Sequence, residues 1–131
     1  MPERVEAEST LQEYAQGLQN QLMSMQSELQ ASYEEYQNNQ SDYDDLTKQD
    51  KIAAIQAIEQ RIQNFQQSAQ VSLQEKEQEL LDPILKKAQN AIDEVAKDGK
   101  YTYILDSSSG TLLYSKESED ILPKVKKELG L

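Results

Sequence analysis

Three groups of side chains have the chemistry to form a site. Ser107, Ser108 and Ser109 put three hydroxyls side by side. A serine becomes a nucleophile only when a neighbouring base takes its proton, and the 131 residues include no His and no Cys. Their absence removes the usual general base at neutral pH, thiol chemistry, disulfides, and the common zinc and copper ligands. Asp42, Asp44 and Asp45 begin like a calcium loop. Leu46 stands where the next oxygen ligand belongs, however, and neither a central Gly nor a closing Glu follows. They read as a charged, solvated tip. The third group is the tyrosines. Tyr14, Tyr33 and Tyr36 fall at helical spacing and read as packing residues with wet hydroxyls, whereas Tyr43 lies off that spacing and is the candidate contact residue for a partner. No catalytic, metal or cofactor site is expected.

The elements that carry these residues follow from one pattern. Leu11, Tyr14, Leu18, Leu22, Met25, Leu29, Tyr33 and Tyr36 are separated by gaps of three and four that repeat every eleven residues. A second stripe runs Ile52, Ile55, Ile58, Ile62, Phe65, Ala69, Leu73, then Leu80, Ile84, Ala88, Ile92 and Val95. Only an α-helix brings such residues to one face. An eleven-residue period is ~3.67 residues per turn, so two such helices lie together with little left-handed supercoil. The first helix is predicted to open at Pro2 and run to about Gln40, roughly 55 Å at 1.5 Å per residue. Gly17 is its weak point, costing ~1 kcal/mol against Ala.

Asn38 to Asp45 reads as a turn, since Asn, Ser and Asp side chains satisfy backbone groups locally. The tip of the hairpin is placed at about 39–47. Thr47 is the expected N-cap of a second helix from about Lys48 to Asp98, with Gly99 as its stop. Pro83 lacks an N–H and crowds the Glu79 carbonyl, which predicts a break or kink near Leu80 to Asp82.

With Tyr43 and Asp44 at the tip, antiparallel pairing sets Leu29 against Ile58, Met25 against Ile62, Leu22 against Phe65, Leu18 against Ala69 and Tyr14 against Leu73. Leu11 extends the same seam. The expected division is a hairpin arm over 1–80 and a body segment over 81–131. Within the body, Tyr101 to Leu105 and Thr111 to Tyr114 read as the strands of a β-hairpin around the turn Asp106 to Gly110. Pro123 opens a short helix, Lys124 to Leu129, ended by Gly130. Two strands alone are marginal and need another strand or another chain. The expected fold class is mainly α with a small β-hairpin: a long antiparallel helical hairpin projecting from a small α+β body.

Net charge is −11, with 24 acids and 13 bases. Phosphate binding needs clustered Lys and Arg, so nucleic acid is not an expected partner. Residues 1–46 carry ten of the acids and only Arg4 as a base, which makes the first helix the acidic arm. Residues 15–27 and 62–74 contain no charged residue, so the middle of the hairpin is coated in Gln, Asn and Ser. No apolar run approaches the ~18 residues that span a bilayer, and stable membrane insertion is not expected. No signal peptide is present, which leaves secretion open because export removes it.

The segments Glu79-Leu80-Leu81-Asp82-Pro83-Ile84, Ala91-Ile92, Val95-Ala96, Tyr101-Thr102-Tyr103-Ile104-Leu105-Asp106, Gly110, Leu113-Tyr114, Asp120-Ile121 and Leu129-Gly130 resemble the C-terminal part of the Skp/OmpH family of periplasmic chaperones. The resemblance covers the whole chain loosely and the last fifty residues closely. It implies a homotrimer in which three chains build a small β-body, each sending out one helical tentacle. The three tentacles would enclose unfolded outer-membrane proteins without ATP. It implies a periplasmic location, and it puts Tyr101, Tyr103, Leu105, Leu112 and Tyr114 in or beside the body core.

Three departures stand out. The family usually begins with a β-strand, where this chain begins Met-Pro-Glu. Its best-known members are basic, where this chain is acidic. Relatives often place Thr where Leu122 stands. The expected function is an ATP-independent holding chaperone. The alternative is a scaffolding coiled coil that binds one defined partner helix.

Overall fold

The computed structural model of the protein describes residues 1–108 and 119–131. Its elements are α1 (Pro2–Asn39), α2 (Asp45–Gly99) and α3 (Leu122–Glu128). The two periodic stripes therefore form two long helices, as their spacing requires. The first begins on Pro2 with Glu3 in its first turn, where an acid suits the helix dipole.

The start of α2 differs from expectation. Asp44, not Thr47, is the cap: its Oδ1 accepts the Thr47 N–H at 2.7 Å, and its carbonyl accepts the Lys48 N–H at 2.9 Å. Asp and Thr are both good caps, but capping at Asp44 lets the helix gain an extra turn from Asp45. The connection shortens to 40–44.

Pro83 does not break α2, which continues through it to Gly99. One missing N–H costs one hydrogen bond, and the turns on either side retain theirs. The stop also moves. Lys100, with φ 54°, takes the left-handed position expected of Gly99. The Lys100 N–H reaches the Lys97 carbonyl and the Tyr101 N–H reaches the Ala96 carbonyl, at 3.2 and 3.0 Å. That is the Schellman pattern. Gly99 is needed for another reason: a Cβ there would overlap the Tyr101 ring. The same pattern ends α3, with Gly130 at φ 71° and the Leu131 N–H on the Lys126 carbonyl at 2.9 Å.

Of the β-hairpin expected over 101–114, only 101–108 lies among the described residues. Among the described residues there is no strand. Residues 103–106 have no regular structure, and the second half, with Leu112 and Tyr114, lies outside the described residues.

The chain divides into two compact units, Met1–Ala7 with Glu79–Leu131, and Glu8–Gln78. In the first, Ala91, Val95 and Val125 form a small core packed by Ile92, Tyr101, Ile121 and Leu129. Lys87 pairs there with Glu3. In the second, α1 and α2 run antiparallel. The polar bridges between them include Arg61 with Glu28, Lys51 with Glu35 at 2.6 Å, and the Tyr33 hydroxyl donating to Glu59 at 2.6 Å.

Candidate functional site: the helical arm

The arm unit holds a seam that is incompletely closed. Ile55 and Ile62 are its buried apolar residues, at 6% and 8% exposure. Leu11, Leu18, Leu22, Met25, Leu29, Ile58, Phe65, Ala69 and Leu73 are all half-buried. Tyr14 and Tyr33 are exposed, and Tyr33 turns its hydroxyl to Glu59. That hydrogen bond keeps the proton on the phenol and raises its pKa. The reason for the partial burial is geometric. A helix of a two-helix pair has one neighbour, so an apolar stripe about 100° wide is covered at its centre and open at its edges.

At the tip, Tyr43 is half-buried rather than free. Its ring packs against Tyr36 at a centroid distance of 6.4 Å, and the Lys51 ammonium lies 5.8 Å from its centre. Lys51 also donates to Glu35, which holds that carboxyl below the usual carboxylate range and the ammonium above its own. Of the tip acids, Asp44 is committed to capping α2, and the hydrogen bonds from Thr47 lower its pKa.

The polar coat is partly self-satisfied. Gln16 donates to Asn20, Gln30 to Glu34 and Gln60 to Asn64, each one helical turn on, at 2.8 to 3.0 Å. These ladders add a few tenths of a kcal/mol each to helix stability. They were invisible in composition alone, although the i, i+4 spacing of the amides could have flagged them.

In the other unit, Tyr103 is 82% and Leu105 66% exposed, while Tyr101 is half-buried against the core. The Tyr101 hydroxyl donates to Glu119, and Lys124 bridges both, 2.5 Å from Glu119 and 3.0 Å from the Tyr101 oxygen. This cluster lowers the Glu119 pKa and raises that of Lys124. It ties the start of α3 to Tyr101, just past the end of α2. The sequence reading missed it because Glu119 and Tyr101 are eighteen positions apart with no shared periodicity.

Among the described residues, no helix is long and apolar enough to cross a membrane, and no cluster of acids is arranged to hold a metal ion. The arm offers a long surface of half-exposed apolar side chains rimmed by amides. Compared with known proteins, the chain matches the family described as Outer membrane protein (OmpH-like) over residues 1–129. No curated protein matches it significantly.

Proposed function

The chain belongs to the OmpH-like family, and from that premise we propose that it is an ATP-independent holding chaperone for unfolded outer-membrane proteins. The family is one of periplasmic chaperones, whose work is to keep chains apart rather than to make or break bonds. A chain without His or Cys is suited to that work. The observation that carries the reading is the family match along nearly the whole length.

The arm supplies its physical side. An apolar stripe left half-open along two helices makes many weak contacts, and many weak contacts give avidity without a deep pocket. Tyr43 serves as a contact at the tip, its ring held in place by Tyr36 and Lys51. The working unit is a homotrimer whose body takes in Tyr101, Tyr103, Leu105, Leu112 and Tyr114. The exposure of Tyr103 and Leu105 in a single copy supports a partner chain there.

The test is light scattering from a urea-denatured porin diluted into buffer. Equimolar chain suppresses the rise in scattering, ATP changes nothing, and salt from about 50 to about 500 mM changes little, because the uncharged mid-arm has no field to screen. Aggregation that proceeds unhindered would overturn the reading. Saturable binding to one folded helical partner, with indifference to the unfolded porin, would favour a scaffolding coiled coil instead.

A further inference from the structure

Between α1 and α2 of the arm unit, Gln21, Met25, Arg61, Asn64, Phe65 and Ser68 line a groove of about 430 Å³. Met25 and Phe65 are half-buried, while Gln21, Asn64 and Ser68 stand exposed around them. The Arg61 guanidinium is neutralised by Glu28 across the helix pair. The remaining lining residues belong to the two stretches, 15–27 and 62–74, that contain no charged side chain.

We propose that this groove is a landing site for one aromatic or large aliphatic side chain on an extended, uncharged segment of an unfolded polypeptide. The proposal rests on the chaperone reading and names a place on the arm where cargo is held.

Charge complementarity selects the occupant. A charged side chain gains little there, since the one lining cation, Arg61, is already paired with Glu28 and the other lining residues are uncharged. An apolar side chain loses nothing polar and covers Met25 and Phe65. A thioether beside a ring is an adaptable apolar surface, because Met is unbranched, polarizable and favours aromatic edges. The rim matches the rest of the segment. Amide and hydroxyl groups offer both donors and acceptors, as an extended backbone with no partner of its own requires.

Neither of two other surfaces combines these features. On the outer face of α1, the groove along Met23, Gln26, Ser27, Gln30, Ala31 and Glu34 has no ring and includes a carboxylate. In the other unit, the larger groove beside Tyr103 to Leu105 is lined by Asp93, Asp106 and Asp120.

The test uses the full chain labelled at its methionine methyls. The three methionines, Met1, Met23 and Met25, give one reporter in the groove and two outside it. The probe is an end-capped, uncharged peptide with a single tyrosine. The Met25 methyl signal shifts saturably with added peptide, and the Met1 and Met23 signals stay in place. Gln21→Glu with Ser68→Glu puts two carboxylates on the exposed rim without touching the seam. Peptide affinity falls about tenfold, a change of roughly 1.4 kcal/mol in binding free energy, while far-ultraviolet circular dichroism is unchanged. Gln19→Glu, outside the groove, leaves the affinity alone.

A Met25 signal that stays still, or a Met23 signal that moves in its place, overturns the proposal. Porin aggregation, measured on the same samples, separates the two levels. Suppression without a Met25 shift removes the groove and keeps the chaperone. Loss of both removes the chaperone reading as well.

Discussion

Asp44 starts α2 with one carboxylate. It accepts the Thr47 N–H at 2.7 Å, while its own carbonyl takes the first intrahelical bond. Asp44→Ala leaves the first turn of a 55-residue helix without that acceptor. The variant is expected to melt a few degrees lower than the parent, with unchanged helix content at low temperature, in a circular-dichroism melt.

Beside it, Glu35 carries a second prediction. Its pKa is lowered by Lys51, so its contribution to stability is present above the unfolded carboxylate pKa and is lost as pH falls through the lower folded one. The net charge of −11 acts the other way, because acid relieves repulsion along α1. The two effects separate in a difference measurement. The gap in melting temperature between the parent and Glu35→Gln should be larger at about pH 7 than at about pH 3. A gap of the same size at both values would show that Glu35 contributes nothing through its charge. The gap at neutral pH is small because the pair is exposed and screened by solvent.

Among the elements, the two helices of the arm are held by a thin seam, and its residues are unequal. Ile62 is buried, so Ile62→Ala should cost about 2 kcal/mol in urea unfolding, at the low end for such truncations because its neighbours are half-exposed. Gly17 offers the opposite change. It is exposed within α1, and a Cβ there would meet nothing within 4 Å. Gly17→Ala should therefore raise stability by ~1 kcal/mol through helix propensity alone. A loss of stability in that variant would mean that something packs on this face of α1.

The elements also show what the sequence made legible. The stripe from Leu11 to Tyr36 and the stripe from Ile52 announced both helices, because a spacing of three and four has one structural solution. The end of α2 was harder. Gly99 is a sound stop signal by type, yet Lys100 takes the left-handed turn, and the Tyr101 ring lies over Gly99. Pro83 is a sound break signal, yet the flanking turns carry the helix through it. Thr47 lost to Asp44 by three positions, a choice between two good caps that local preference does not decide. The strand expected at Tyr101 to Leu105 rested on β-branched and aromatic residues. Such preferences report packing context more than backbone preference, and no ladder forms among the described residues. As for the groove, its uncharged belt was legible in composition, but that Met25 shares it with Phe65 and Ser68 was not, since the expected pairing set Met25 against Ile62 and Leu22 against Phe65.

For the whole molecule, the distribution of charge argues against nucleic acid and for cargo held by contacts other than charge. Of the ten acids in the first 46 residues, Glu28 and Glu35 pair with Arg61 and Lys51 of α2. The proposed holding would use the half-open apolar seam and the amide rim. The proposed trimer is checked by mass in solution, where three copies are expected and a strict monomer would remove the enclosed cavity.

The most direct test of holding follows the client itself. The chain is mixed with a urea-denatured porin, the complex is isolated without nucleotide, and amide exchange of the bound porin is read by mass spectrometry. Holding predicts a soluble complex in which the porin exchanges as fast as an unfolded chain. A porin that appears only in the pellet, or that is bound only once folded and protected, would contradict it.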